Sequence, residues 1–268
     1  SASGSKGPSY RILPKGCIFE VGGSSIFPVK KFKNNAYILA FFNSLISQYI
    51  IECLNPTVNK QVGDVERVPF ALPDTERESI VERLSQKNIG IVSKIDSNAL
   101  FDPEFHHSPF RHRAEEDWDS AFAKFLILEN HLLTQVLLNE AIINEKIFEV
   151  YELTEHDKAM VLAKEGESIG GLPVCPQARA AYLAESEATQ EFPLDGIRDF
   201  IETLPERSFT DAERQAVESE FPALYQSNND LEAFCTRHQI NPINVWYWFR
   251  ESGVIPRQRQ QTLAMEFL

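Results

Sequence analysis

The chain has 268 residues, enough for one large domain or two of ordinary size, and 43% of them are hydrophobic, so a sizeable core can form. No apolar run reaches the roughly 18 residues that predict a membrane span, and the N-terminus lacks the apolar core of a signal peptide. Four scattered cysteines without a CxxC pair argue against a disulfide framework and predict reduced thiols in a cytoplasmic protein.

The net charge of −13 argues at first against a nucleic-acid partner, but the charge is unevenly distributed. Residues 1–63 contain seven Lys or Arg and two acids, a net charge of +5, so the remainder carries −18. A basic end on an acidic chain fits a localised contact with a polyanion. The alternative is that the basic residues simply lie on one solvated face.

The first part of the chain predicts a flexible leader (1–9) followed by a small mixed α/β domain (10–73). Short apolar runs between glycines predict β structure at 10–32. Apolar positions at three- and four-residue spacing predict a helix from Ala36 to Cys53. The segment KQVGDVERVPFAL (60–72) predicts one or two strands, with Pro69 at a sheet edge.

The rest of the chain predicts mainly helices. A helical arm (74–153) is expected to contain two helices at 75–97 and 117–151, whose single apolar stripes favour an antiparallel pair. Loop-forming Gly and Pro residues predict a linker at 154–192. Residues 193–268 predict helices at 194–204, 210–220, 229–239, 242–252 and 256–268. The expected fold class is therefore α+β, with a small mixed α/β domain, a long helical pair and an all-helical C-terminal region.

Motifs for catalysis or metal binding are missing from the sequence. There is no GxSxG, P-loop or HExxH pattern, and Gly22-Gly23 lacks the following helix of a nucleotide-binding turn. Asn55-Pro56-Thr57 lacks the second proline and the aromatic residue of an adenine-methylating turn. The histidines near residues 106–112 have no partners at ligand spacing. We therefore predict no catalytic residue and no metal site.

Two stretches carry a family resemblance: RILPKGCIFEVGGSSIFP (11–28), and a helix containing FFNS that leads into LNPTVNKQVGDVERVP (54–69). Their order resembles the target-recognition region of adenine-specific DNA methyltransferases from bacteriophage-exclusion systems of the phage growth limitation type. LNEAIINEKIFEVYEL (138–153) resembles the helix that follows this region. Together these stretches cover about a third of the chain.

The resemblance implies double-stranded DNA as a partner and N6-adenine methylation by an upstream methyltransferase domain that binds S-adenosylmethionine. The missing motifs predict no cofactor and no catalysis in this chain itself, and the lack of a long apolar run predicts no membrane partner. The resemblance also allows contacts with other subunits of a defence or restriction-modification system. Two alternatives stay open. The chain could be a protein-interaction scaffold that docks another defence subunit, or a stand-alone specificity subunit.

Basic and amide side chains in the recognition region are the candidate DNA contacts. Lysine and arginine suit phosphates, whereas hydroxyl and amide groups can read base edges. The predicted DNA-binding residues are Arg11, Ser24, Ser25, Lys30, Lys31, Lys33, Asn59, Lys60 and Gln61. The alternatives without a DNA-binding role are an ordinary turn for the Ser24-Ser25 pair and strand-end hydrogen bonding for Asn59 and Gln61.

Residues 229–256 have the spacing of a helix-turn-helix motif. The second helix, however, carries four consecutive aromatic residues, Trp246 to Phe249, and Arg250 as its one base. A DNA-reading helix should be more polar and more basic, so we favour a packing role for this helix.

Overall fold

The computed structural model describes residues 9–13, 16–18, 25–27, 35–57, 60–99, 102, 104–106, 108–110, 117–224, 230–257 and 259–261. These ranges are mostly helical and contain no sheet. Their β structure is a single parallel bridge between Val174 and Glu206. The expected α+β class is therefore wrong, since the mixed α/β domain that it required is not formed by the described residues.

Twelve α-helices lie in the described ranges. They are α1 (Asn35–Asn43), α2 (Leu45–Leu54), α3 (Val62–Glu66), α4 (Thr75–Asp96), α5 (Trp118–Val150), α6 (Glu155–Glu165), α7 (Pro176–Ala184), α8 (Ser186–Glu191), α9 (Arg198–Thr203), α10 (Asp211–Glu218), α11 (Asp230–His238) and α12 (Pro242–Ser252). Three of them, α6 to α8, lie in the stretch expected to be a linker. The five-part division of the chain itself stays a prediction.

The predicted strands at 60–72 are wrong. Residues 62–66 form α3, because Asp64 accepts a hydrogen bond from Gln61 N and so satisfies a free donor at the start of the helix. Val62, Val65 and Val68 recur every third residue, which is a helical spacing. No strand occurs in the described residues of the 10–32 segment, and its other residues lie outside the described part of the chain.

The helix predicted from Ala36 to Cys53 is two helices bent by 62° at Ser44. The Ser44 hydroxyl donates to Phe41 O at 2.7 Å and accepts from Ser47 N, so this side chain ends one helix and caps the next. The N–H of Leu45, freed by the break, donates to Asn144 Oδ1 at 2.9 Å.

The chain forms two compact units. The first comprises Ser1–Gln86 and Ile142–Glu167, and the second comprises Lys87–Ala141 and Ser168–Leu268. In the first unit, Phe41 is fully buried, meets Phe70 edge-on at 4.9 Å and stacks on Tyr151 at 6.0 Å. The Tyr151 hydroxyl bonds to Pro69 O, which ties the segment after α3 to the end of α5.

The core of the second unit surrounds α12. Seven residues of this helix are buried, and the indole of Trp246 donates to Ile127 O of α5 at 3.2 Å. Asn241 caps α12 and donates through Nδ2 to Gly170 O and Leu172 O, so the turn before the helix is fixed as well. The packing role predicted for this helix is confirmed.

Both predicted long helices are present as α4 and α5. In the second unit, Asn139 donates to Asn88 Oδ1 at 2.6 Å, and Ile91 packs against Leu132. By length and composition alone, α5 could cross a membrane, as could α1 and α2 taken as one bent span. However, 67% of the apolar window of α5 is buried in the fold, which is how a core helix of a soluble protein behaves.

Candidate nucleic-acid interface

The connection between α2 and α3 begins with an Asn-Pro-Thr turn. Pro56 cannot continue α2, because it has no N–H to donate and restricts the residue before it. Asn55 Oδ1 accepts from Thr57 N at 2.9 Å and from the Thr57 hydroxyl at 2.6 Å. This is the local side-chain hydrogen bonding by which asparagine stabilises turns.

Asp64 closes the connection from the other side. Its Oδ2 accepts from Asn55 Nδ2 at 2.6 Å and from Gln61 N at 2.9 Å. Both bonds favour the carboxylate, and they hold the pKa of Asp64 below its usual value, with the Asn55 bond as the larger cause. We call Asn55, Thr57, Gln61 and Asp64 the polar clasp.

Lys60 lies inside this connection. Its ammonium donates to Glu52 Oε1 at 2.6 Å and to Asn55 O, and only 6% of its side chain is exposed. An ammonium already bound to a carboxylate and a carbonyl would have to give up these partners to reach a phosphate. The geometry therefore favours an internal role for Lys60 and makes other basic residues better phosphate contacts.

The segment that contains Arg11 is fixed to α1. Tyr10 N donates to Asn43 Oδ1 at 2.9 Å, and Asn43 Nδ2 donates back to Tyr10 O at 3.0 Å. Burial against neighbours such as Phe42 raises the pKa of Tyr10 to about 12. Arg11 is exposed immediately after this anchor.

The predicted DNA-binding residues are only partly described. Arg11 and Gln61 are exposed, Ser25 is partly buried, and Lys60 is nearly buried. Lys60 and Gln61 lie together at the α2–α3 connection. The other predicted contacts lie outside the described residues, namely Ser24, Lys30, Lys31, Lys33 and Asn59.

Sequence reasoning missed three residues at this connection. Asn55 and Asp64 were not expected to bond to each other, although an Asn-Pro-Thr turn followed by Gln-x-x-Asp carries the signals of a turn and a capped helix. Arg67, exposed directly after α3, was not considered as a phosphate contact.

The second unit contains a buried histidine that is not part of an accessible site. The His131 ring stacks on Tyr182 with centroids 3.9 Å apart, and it meets Trp246 edge-on at 5.2 Å. Burial, with a smaller contribution from the charge of Arg250, lowers the pKa of His131 to about 4. A neutral imidazole enclosed by aromatic rings serves packing.

The part of the chain that the structure describes has no three His, Cys, Asp or Glu residues placed to hold a metal ion. No strand there leads into a glycine-rich turn of the kind that holds S-adenosylmethionine. That this chain binds neither a metal ion nor S-adenosylmethionine therefore stays a prediction.

Comparison with known proteins links the chain to a methyltransferase. It is 30% identical over 164 residues to the adenine-specific methyltransferase BrxX of Escherichia coli O9:H4 (strain HS). The matched region is 58% of this chain but 13% of that protein, so the chain corresponds to a small part of its relative. No family model matches the chain. No solved structure matches it either.

Proposed function

We propose that this chain is a DNA target-recognition region of an S-adenosylmethionine-dependent N6-adenine DNA methyltransferase in a phage-defence or restriction-modification system. The relationship to an adenine-specific methyltransferase carries the proposal. Methyl transfer itself is assigned to an upstream domain of the longer cytoplasmic protein, which is the expected partner of this chain together with double-stranded DNA.

The uneven charge supports DNA contact through the N-terminal region. The net charge of +5 over residues 1–63 attracts phosphates, whereas the −18 of the remainder repels them. Because Lys60 is bound internally, we assign phosphate contacts to Arg11, Lys30, Lys31 and Lys33. Arg67, exposed after α3, is a further candidate.

A protein-interaction scaffold is the second candidate. Its support is the dominance of helices in the described residues together with the acidic character of residues 64–268. Helices with acidic faces are suited to contacts with basic partner surfaces. In this case the chain would dock another subunit of the defence system and would bind DNA weakly or not at all.

Salt-dependent DNA binding separates the two functions. We expect the chain to bind duplex DNA with an affinity that falls as salt rises, with a slope of roughly 0.9 per phosphate contact. Replacing Lys30, Lys31 and Lys33 with Ala should weaken binding to all sequences and flatten this slope. A matched triple variant in the second unit, with Lys124, Arg198 and Arg237 replaced by Ala, removes the same charge.

The matched variant should keep the salt slope of the parent. Equal losses in the two triple variants would mean that the DNA responds only to net charge. No salt-dependent binding by the parent chain would refute the proposed function and favour the scaffold.

A further inference from the structure

Asn43, the last residue of α1, holds the segment before it in the chain by the backbone of Tyr10. Its Oδ1 accepts from Tyr10 N at 2.9 Å, and its Nδ2 donates to Tyr10 O at 3.0 Å and to Leu39 O at 3.1 Å. The amide uses both of its hydrogens and its oxygen in these bonds, so its orientation on α1 is fixed. Tyr10 therefore has both backbone groups paired, although the described residues around it form no helix or strand.

The ring of Tyr10 attaches the same segment a second time. It packs against Phe42 with the two ring centroids 5.0 Å apart. The backbone pair and the ring contact act on one residue from two sides. They fix the direction in which the chain leaves Tyr10, and hence the position of Arg11 relative to α1.

Arg11 is a cation at this fixed position. It is exposed, and it forms no hydrogen bond or ion pair with the residues that the structure describes. Lys60, by contrast, is bound to Glu52 within the fold. A guanidinium has donors spaced to bind two oxygens of one phosphate. The net charge of +5 over residues 1–63 attracts a polyanion to the region in which this guanidinium lies.

We propose that Asn43 positions Arg11 for contact with a backbone phosphate of duplex DNA. The inference rests on the proposed function. Asn43 is a positioning residue, and Arg11 makes the contact. A segment without helix or strand loses backbone freedom when it binds, and this loss opposes binding. Because Asn43 already orders the segment in the free protein, less freedom is lost when Arg11 meets the phosphate.

A double-mutant cycle tests the positioning role. The affinity for one duplex is measured at several salt concentrations for the parent, Asn43→Ala, Arg11→Ala and the variant with both changes. We expect Arg11→Ala to weaken binding about ten-fold and to lower the salt slope by roughly 0.9, since one phosphate contact is lost. Asn43→Ala should weaken binding about three-fold or more in the parent. It should cause no further loss when Arg11 is already replaced.

Two further variants separate positioning from a general effect on the fold. Tyr10→Ala removes the ring contact with Phe42 and leaves α1 unchanged, so its effect on affinity should also depend on Arg11. Asn98→Ala is the matched control, because Asn98 donates to the carbonyl four residues before it, Lys94 O, as Asn43 does to Leu39 O. This control should keep the affinity and the salt slope of the parent. Thermal unfolding verifies that each variant folds.

The outcomes that overturn the inference are distinct from the failure of the proposed function. Losses of Asn43→Ala and Arg11→Ala that simply add would show that Asn43 acts on binding by another route. Parent-like affinity in folded Asn43→Ala and Tyr10→Ala would overturn the positioning role as well. Parent-like affinity in Arg11→Ala would leave DNA recognition to other basic residues and overturn this inference alone. A parent that binds no duplex refutes the proposed function itself.

Discussion

His131 is held neutral by its surroundings, and we therefore expect the second unit to be sensitive to acid. Burial lowers its pKa from 6.5 to about 4. Since the folded pKa lies below the unfolded one, the stabilisation is fully present above pH 6.5 and is lost as the pH falls through 4. The difference corresponds to about 3 kcal/mol in the free energy of unfolding at most.

We expect His131→Phe, which keeps a flat ring against Tyr182, to remove much of this loss between pH 6.5 and pH 4. Urea unfolding at a series of pH values measures the effect. Replacing the exposed His156 with Gln is the matched control and should leave the pH dependence of the parent. If His131→Phe loses as much free energy of unfolding between pH 6.5 and pH 4 as the parent does, other groups cause that loss.

Gly170 is required by close packing. A Cβ at this position would lie 2.4 Å from Leu137 O and 2.9 Å from Leu138 Cα, both of which are backbone atoms that cannot move aside easily. We expect Gly170→Ala to lower the free energy of unfolding by about 1–3 kcal/mol, as overpacking does. The neighbouring Gly171→Ala should change it by less than about 0.5 kcal/mol, since it meets no described atom. Equal effects of the two changes would contradict this account.

At the scale of elements, Ser44 determines where the first long apolar segment bends. Its hydroxyl oxygen accepts a hydrogen bond from Ser47 N at the start of α2. We expect Ser44→Ala to lower the free energy of unfolding by about 1 kcal/mol, the usual effect of losing a helix cap. Ser79→Ala, at an exposed position inside α4, is the control and should be nearly neutral. A stabilised Ser44→Ala would mean that the bend is imposed by other contacts.

The helices that sequence predicted well have long amphipathic patterns. The spacing of apolar residues in α4 and α5 is regular over many turns, so local pattern and tertiary packing agree. The bend at Ser44 was not predictable in this way, because the apolar spacing continues through it. The Leu45 N–H that the break frees is bound by Asn144, which is distant in sequence.

For the α3 segment, the sequence predicted the wrong type of secondary structure. Its valines and proline resembled an edge strand, but the hydrogen bonds of Asp64 to Gln61 and Asn55 start a helix instead. For the candidate interface, sequence indicated Lys60 as a phosphate contact from its charge alone. It could not indicate that Glu52 and Asn55 bind this ammonium within the fold.

At the scale of the whole molecule, the chain is expected to bind no S-adenosylmethionine. The sequence contains no glycine-rich cofactor turn, and the proposed function places methyl transfer in a domain outside this chain. Calorimetric titration of the chain with S-adenosylmethionine should give no binding heat. Micromolar affinity for S-adenosylmethionine would contradict the assignment of methyl transfer to another domain and would place part of the cofactor site in this chain.

Crosslinking of the chain to duplex DNA, followed by mass spectrometry of the linked peptides, tests the central claim most directly. The account predicts crosslinks concentrated in residues 10–73, including the peptide that contains Gln61, and lost when salt is raised. Predominant crosslinks in residues 168–268, or none above those of an acidic control protein, would contradict a DNA-recognition role for the N-terminal region.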